Sequence, residues 1–191
     1  MDAFSLAVCA SGGGGNFQSL IDARDEIQFE INCLIVDREC GAIQRAESAG
    51  IPVRRVRRSN QFLCDDLNKE LPKNTNLIVL AGFMPIIPKD ICDKWSKKII
   101  NTHPSLLPKF GGQGMYGVKV QEAVMNAGEK LAGCTIHYVN EEIDRGEIIF
   151  QKSIEVNYSE TPWQLGGRIF LEETILLLEA VKQLRQKQAF D

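Results

Sequence analysis

Short, continuous runs of apolar residues recur through the first hundred residues of this 191-residue chain. The clearest are FSLAVCA at 4–10, INCLIVD at 31–37 and NLIVLAG at 76–82, and a segment with helical spacing follows each of them. Apolar runs of this length are typical of strands buried on both faces, as in parallel sheets whose connections are helices. The pattern therefore predicts a doubly wound, mostly parallel α/β sheet.

The rest of the chain extends this pattern. Further strands are predicted at 53–56 and 98–102, with helices near 16–24, 40–48, 59–71 and 88–95. The runs 133–140 and 147–156 flank a short acidic turn and predict an antiparallel addition, and 161–187 predicts one long C-terminal helix. Because no repeat or linker interrupts the pattern, we expect a single domain over 1–191.

Charge and cysteine usage limit the function classes. The net charge is −3, so no broad basic field points to nucleic acid. The cluster VRRVRR at 53–58 is either a solvated strand edge or a local contact for an anion or RNA. No apolar run is long enough to cross a membrane, and the N-terminus does not resemble a signal peptide. Six scattered cysteines without metal spacing favour a reducing, cytoplasmic setting and no metal.

The segment ASGGGGNF at 10–17 joins the first predicted strand to the first helix. Glycines at a helix N-terminus let backbone N–H groups approach a phosphate. Phe17 occupies the third glycine position of a dinucleotide fingerprint, which weakens that interpretation, although Asp37 ends the next strand at about the distance of a ribose contact. A loop for a single phosphate, a nicotinamide site and a merely flexible turn therefore remain open.

Two polar features follow later strands. The segment NTHPSLLPKF at 101–110 places Asn101 and His103 where the strand at 98–102 ends, so an amide donor and a titratable imidazole meet at the carboxyl edge of the sheet. On spacing alone, a lone histidine at a strand end is more often structural. The turn NEEIDRGE at 140–147 carries four carboxylates, which are either solvated or, for Asp144, held by the following Arg145-Gly146.

These segments, together with LAGFMPII at 80–87 and IDRGEIIFQ at 143–151, resemble the folate-dependent formyltransferases in order and spacing. The resemblance covers nearly the whole chain and implies the formyltransferase fold. The glycine loop and chain length favour the member that transfers the formyl group of 10-formyltetrahydrofolate to the amine of glycinamide ribonucleotide in purine synthesis. Its implied partners are these small molecules; the oligomeric state is undetermined.

The resemblance also implies residue roles. Asn101 would hold the formyl oxygen, His103 would donate and shuttle protons, and Asp144 would raise the histidine pKa. The second histidine, His137, is expected to give structural support near the site. The ribonucleotide would be bound by Gly14, Gly15, Asn16 and, at the ribose hydroxyls, Glu173. The pterin would be bound by the backbone of Met84, Pro85, Ile86 and Ile87, with Asn101 also contacting the cofactor.

Four departures from the family pattern leave substrate preference open. Gly15 replaces a serine of the phosphate loop, Pro85 replaces a common arginine, and Cys64 stands where a basic residue often reaches the cofactor. The glycine-rich loop at 111–117 is longer than usual and is a possible lid. A formyltetrahydrofolate hydrolase, a transferase for another amine such as an amino sugar nucleotide, and a nucleotide-binding module without catalysis are the alternatives.

Overall fold

The computed structural model describes residues 3–188. Its strands are β1 (Ser5–Ala10), β2 (Glu30–Val36), β3 (Val53–Arg55), β4 (Leu77–Leu80), β5 (Ile99–His103), β6 (Leu131–Tyr138) and β7 (Ile148–Glu155). Its helices are α1 (Gly15–Ile27), α2 (Gly41–Ser48), α3 (Asn60–Glu70), α4 (Lys89–Lys94), α5 (Val118–Asn126) and α6 (Pro162–Gln188). Each strand and helix predicted from the sequence is present, with ends shifted by only a few residues.

The described strands form one seven-stranded sheet in the order β3-β2-β1-β4-β5-β6-β7. β1 to β5 pair in parallel, whereas β6 pairs antiparallel with β5 and with β7. The predicted parallel sheet with an antiparallel addition is therefore confirmed. The strand order reverses beside β1, and ligands of open α/β sheets bind at such a point, outside the carboxyl ends of the strands.

Alternate residues of β1 supply two hydrophobic cores, one on each face of the sheet. Leu6 and Val8 pack in the core that α1, α2 and α6 cover. Ala7 and Cys9 pack in the core that α3 and α4 cover. Both faces of the strand are fully buried, which explains why its sequence is continuously apolar.

The cysteines behave as small apolar residues. All six are free thiols, and four are buried. Burial raises the pKa of Cys33 to about 11 and that of Cys134 to about 12, so both thiols stay protonated near neutral pH. Within residues 3–188, no helix combines the length and the low polarity that a membrane span requires.

The arginine cluster at 53–58 has local partners. Arg55 pairs with Glu39 at 2.6 Å, Arg57 pairs with Asp66 at 2.7 Å, and Arg54 donates to the backbone carbonyl of Glu70. These contacts agree with the interpretation of the cluster as a solvated strand edge.

Candidate active site

A cavity of about 720 Å³ lies outside the carboxyl ends of β1, β4 and β5. Its wall is formed by the loop after each of these strands, the segment 112–118, the turn after β6 and the first half of α6. The three polar features singled out in the sequence all contribute to this wall, so the fold brings them together.

Asn101, His103, His137 and Asp144 form one cluster in the cavity wall. Asn101 and His103 lie on β5, and Asn101 is paired with His137 across the antiparallel β5–β6 ladder. Asp144 reaches both histidines: its Oδ2 lies 3.5 Å from Nδ1 of His103 and its Oδ1 lies 3.6 Å from Nε2 of His137. A single carboxylate therefore bridges two buried imidazoles.

The acidic turn holds Asp144 in place through its backbone. Asp144 has a φ of +56°, and its side chain is only 11% exposed. Gly146 permits this turn because a Cβ there would lie 1.7 Å from the carbonyl oxygen of Tyr138. The neighbouring Glu141 and Glu147 instead pair with lysines at the surface. Asp144 is thus set apart from the other carboxylates of the turn.

His137 orients the amide of Asn101. Its Nδ1 lies 2.8 Å from the Tyr138 carbonyl oxygen, which can only accept, so Nδ1 carries the hydrogen. In the neutral ring, Nε2 is then the acceptor for the amide N–H of Asn101, whose nitrogen is 3.2 Å away. The second amide hydrogen of Asn101 stays available at the cavity wall. His137 therefore does more than fill space beside the site.

Both nitrogens of the His103 ring have neighbours. Nε2 lies 2.8 Å from the carbonyl oxygen of Phe110, which fixes the hydrogen on that nitrogen. Nδ1 lies 3.5 Å from Oδ2 of Asp144 and carries no hydrogen in this neutral tautomer. His103 is 4% exposed, and burial is the main reason why its pKa lies below the ordinary value. Asp144 raises the pKa, as expected, without overcoming this effect.

Asp144 is stabilised as an anion. Burial raises its pKa, but the two neighbouring histidines, His137 and His103, and the Gly112 N–H together lower it below the ordinary value. The Gly112 N–H donates to Oδ2 at 2.9 Å. The cluster therefore pairs a carboxylate with an imidazole that is neutral near pH 7.

The glycine-rich segment after Phe110 closes over this cluster. Phe110 itself has a positive φ of 55°, as do Gly112, Gly114 and Gly117 in the same segment. Gly112 to Gly117 line the cavity before α5 begins. The segment lies where a lid would lie, in contact with both His103 and Asp144.

The glycine loop begins α1 at another side of the cavity. Gly14 has a φ of +73°, and a Cβ there would lie 2.8 Å from that of Ala42, so only glycine fits. Asn16 donates to Oε1 of Glu173 at 2.5 Å and accepts from Thr174, which ties the loop to α6. Burial raises the pKa of Glu173, against the effects of Asn16 and Thr102. The predicted loop and ribose carboxylate are thus adjacent.

The Phe170 ring packs directly against Gly15 and leaves no space for a larger residue at that position. A Cβ added to Gly15 would lie 2.5 Å from the Phe170 ring. The aromatic ring occupies the space that a serine side chain would need. This contact joins residues 155 positions apart and gives no signal in the sequence.

The segment from Met84 to Ile87 lines the cavity as predicted, but one backbone donor is already used. The Met84 N–H donates to Oγ of Ser11 at 2.9 Å, and Pro85 has no N–H. Ile86 and Ile87 keep theirs. Ser11 also donates to Asp37, whose side chain is fully buried and paired with Arg38. Asp37 is thereby occupied, which argues against a ribose contact of the nicotinamide type.

Sequence reasoning missed several contributors to the site. It did not assign a role to the Phe110 carbonyl, the Gly112 N–H or Ser11, and it underestimated His137. The first two are backbone groups that carry no residue signature. Ser11 directly follows β1, so its position at the carboxyl edge was the one available clue.

Residues 4–181 match the family described as formyl transferase. The chain is 37% identical over 185 residues to a chloroplastic phosphoribosylglycinamide formyltransferase of Arabidopsis thaliana, covering 92% of this chain and 63% of that protein. It is 36% identical over 178 residues to the trifunctional purine biosynthetic protein adenosine-3 of Bos taurus, covering 88% of this chain and 17% of that protein. The chain thus spans less than two thirds of these curated relatives.

A solved structure supports the same grouping. The crystal structure of phosphoribosylglycinamide formyltransferase from Anaplasma phagocytophilum superposes with a TM-score of 0.89 at 36% identity, covering 97% of this chain and 89% of that one. Family match, relatives and fold agree with the cluster at the sheet edge. The chain therefore belongs to the formyl transferase family.

Proposed function

We propose that this chain transfers the formyl group of 10-formyltetrahydrofolate to the amine of N1-(5-phosphoribosyl)glycinamide. The products are the N-formyl ribonucleotide and tetrahydrofolate. The observation that carries the proposal is the meeting of Asn101, His103 and Asp144 with a glycine loop in one cavity. The names of the relatives from Arabidopsis and Anaplasma agree with this reaction.

The amide of Asn101 is the hydrogen-bond donor for the formyl oxygen. Its free N–H hydrogen-bonds the formyl oxygen and stabilises the negative charge that develops when the substrate amine attacks the formyl carbon. Removing one such donor typically lowers the rate roughly 10²–10³-fold. His137 holds the amide in this orientation through the 3.2 Å contact.

His103 moves the proton. It takes a proton from the attacking amine and returns it to the folate nitrogen as the carbon–nitrogen bond of the intermediate breaks. Its neutral state near pH 7, favoured by burial, suits the first of these steps. Asp144 stabilises the imidazolium that forms in between.

His103 must lose one of its present contacts to do so. The Phe110 carbonyl occupies Nε2 and Asp144 faces Nδ1. Phe110 leads into a segment whose glycines adopt positive φ angles, so the carbonyl is the contact that backbone rearrangement can release. Once Nε2 is released, the tautomer with its hydrogen on Nδ1, facing Asp144, leaves Nε2 free to accept the proton of the amine. Substrate entry and rearrangement of 110–117 are therefore coupled in this proposal.

The remaining assignments follow the cavity wall. Gly14, Gly15 and Asn16, which line the cavity, are assigned to the phosphate of the ribonucleotide, and Glu173 is assigned to its ribose hydroxyls. Ile86 and Ile87 offer backbone N–H groups to the pterin. Met84 contributes its side chain and its carbonyl. 10-Formyltetrahydrofolate acts as co-substrate, and no metal enters the mechanism.

Hydrolysis of 10-formyltetrahydrofolate to formate is the second candidate. The observation that favours it is the acidic cavity wall, which includes Glu141, Glu142, Asp144 and Glu173. These carboxylates would repel the negative charge of a phosphate. Tetrahydrofolate release measured with and without glycinamide ribonucleotide separates the two. Release that needs the ribonucleotide supports the transferase, and release of equal rate without it overturns the proposal.

We further propose a cytoplasmic location for the chain, supported by its free, mostly buried thiols. The Arabidopsis relative carries a chloroplast name, so fractionation of cells that express the full-length protein is the direct test.

A further inference from the structure

Acidic side chains line the cavity without basic side chains to balance their charge, among the residues that the structure describes. Its wall includes the carboxylates of Glu141, Glu142, Asp144 and Glu173, and among residues 3–188 no lysine or arginine lines it. A phosphate monoester carries up to two negative charges near neutral pH. The wall thus lacks the cation that normally accompanies phosphate recognition.

Arg45 lies directly behind the glycine loop, on α2. Its Nε donates to the carbonyl oxygen of Gly13 at 2.8 Å, and its Nη1 donates to Oε1 of Gln18 at 3.0 Å. A depression beside Arg45 is lined by Gly13, Gln18, Gly41, Gln44 and Ser48, and of these Gly13 alone also lines the main cavity. Arg45 therefore touches the loop without entering the cavity.

This contact determines the direction of the loop amides. The carbonyl of Gly12 accepts from the Ala42 N–H at 3.1 Å, and the carbonyl of Gly13 accepts from Arg45. In a trans peptide the N–H points away from the carbonyl of the preceding residue. The N–H groups of Gly13 and Gly14 consequently point away from α2.

These amides are also unused. Within the described chain, the N–H groups of Gly13, Gly14 and Gly15 have no acceptor. Backbone donors gathered at a helix N-terminus form an anion-binding concavity. Close packing adds rigidity, because a Cβ on Gly41 would lie 3.2 Å from Cα of Gly13.

We propose that Arg45 is a positioning residue for the ribonucleotide phosphate. It fixes the Gly13–Gly14 peptide so that the loop amides point at the phosphate, and it supplies from behind the positive charge that the cavity wall lacks. The inference rests on the proposed function and names how this chain binds the anionic end of that substrate.

The test compares Arg45→Ala and Arg45→Lys with the matched control Arg55→Ala. Arg55 also lies near this sheet edge and pairs at the surface with Glu39, so its loss removes the same charge without touching the loop. Arg45→Ala should raise KM for glycinamide ribonucleotide about 10- to 100-fold, the effect of losing a charge-assisted hydrogen bond. The KM for 10-formyltetrahydrofolate and kcat should change less than about threefold.

Two comparisons separate positioning from general damage. Arg45→Lys, which keeps the charge, should recover part of the lost affinity, and Arg55→Ala should resemble wild type. With the phosphate-free analogue N-ribosylglycinamide, wild type and Arg45→Ala should have equal kcat/KM. An unchanged ribonucleotide KM in Arg45→Ala, or equal losses on both amines, overturns the proposal.

Titration with inorganic phosphate distinguishes this inference from the proposed function. If the ribonucleotide is not formylated but wild type binds phosphate and Arg45→Ala binds it at least 10-fold more weakly, the role of Arg45 stands while the reaction assignment falls. If wild type does not bind phosphate at all, the role of Arg45 falls as well.

Discussion

Nε2 of His103 lies 2.8 Å from the carbonyl oxygen of Phe110, so the proposed proton carrier is tied to the first residue of the glycine-rich segment that closes over it. The same segment donates the Gly112 N–H to Asp144. One stretch of backbone thus contacts both the base and the carboxylate. The state of this segment should therefore control the chemistry.

Gly112→Ala should impair catalysis because Gly112 has a φ of +96°, which alanine adopts with strain. We expect kcat to fall about 10-fold, as the hydrogen bond to Asp144 is weakened. Gly128→Ala is the matched control, since Gly128 has a φ of +68° and open space around it at the end of α5. Both variants should lose roughly 1–2 kcal/mol of unfolding free energy. Equal kcat in the two variants would contradict a role for the segment.

Asp144→Asn should lower kcat and move the acid limb of the pH profile. Asp144 raises the His103 pKa, so removing its charge lets burial lower that pKa further. The neutral base then persists to more acidic pH. We expect the acid limb of kcat/KM to move to lower pH, while kcat drops roughly 10²-fold or more because the imidazolium loses its counter-ion.

Glu147→Gln is the control for this shift. Glu147 belongs to the same turn but pairs with Lys97 at the surface, outside the cavity wall, so the profile of this variant should follow wild type. If the acid limb of kcat/KM moves to higher pH in Asp144→Asn, the group that titrates in this limb is not His103.

Asn101 and His137 should act as one unit. Asn101→Ala should lower kcat roughly 10²–10³-fold. His137→Leu, which removes the acceptor that orients the amide, should lower it about 10-fold, and His137→Gln should retain more activity because its oxygen can accept. In Asn101→Ala, adding His137→Leu should cost little more. Independent, additive losses would show that His137 acts through something other than Asn101.

Gly15 and Phe170 should be coupled in ribonucleotide binding. Gly15→Ser alone should not lower KM for the ribonucleotide, because the new Cβ would lie only 2.5 Å from the Phe170 ring and the serine side chain would clash with it. Gly15→Ser with Phe170→Ala should lower it severalfold, since the hydroxyl then becomes a phosphate donor. A lower KM in Gly15→Ser alone would show that the Phe170 ring does not keep a serine at position 15 from binding the phosphate.

The fold was predictable because the apolar runs directly reflect burial. β1 is buried on both faces, and its sequence is continuously apolar. β7 is largely exposed, and its sequence mixes apolar and polar residues. Asn101 and His103 were placed correctly because β5 ends at His103. The end of β5 thus locates the two residues that we propose to act on the formyl group.

The finer contacts were not predictable, because they depend on backbone directions or on distant pairs. The positive φ of Phe110, a residue that rarely adopts it, turns a carbonyl toward His103. Arg45 contacts Gly13 across 32 positions, and nothing in the helical pattern of α2 distinguishes it from a solvated arginine. Burial also outweighs the effect of Asp144 on the His103 pKa, which sequence proximity could not show.

The most direct test follows the carbon that moves. 10-Formyltetrahydrofolate labelled with ¹³C in the formyl group is incubated with glycinamide ribonucleotide and either wild-type protein or His103→Asn, and the label is traced by NMR. The proposed mechanism predicts that label appears on the ribonucleotide amide with wild type and at a rate at least about 10²-fold lower with His103→Asn. Label that appears as formate, or a ribonucleotide product formed equally fast by both proteins, would contradict it.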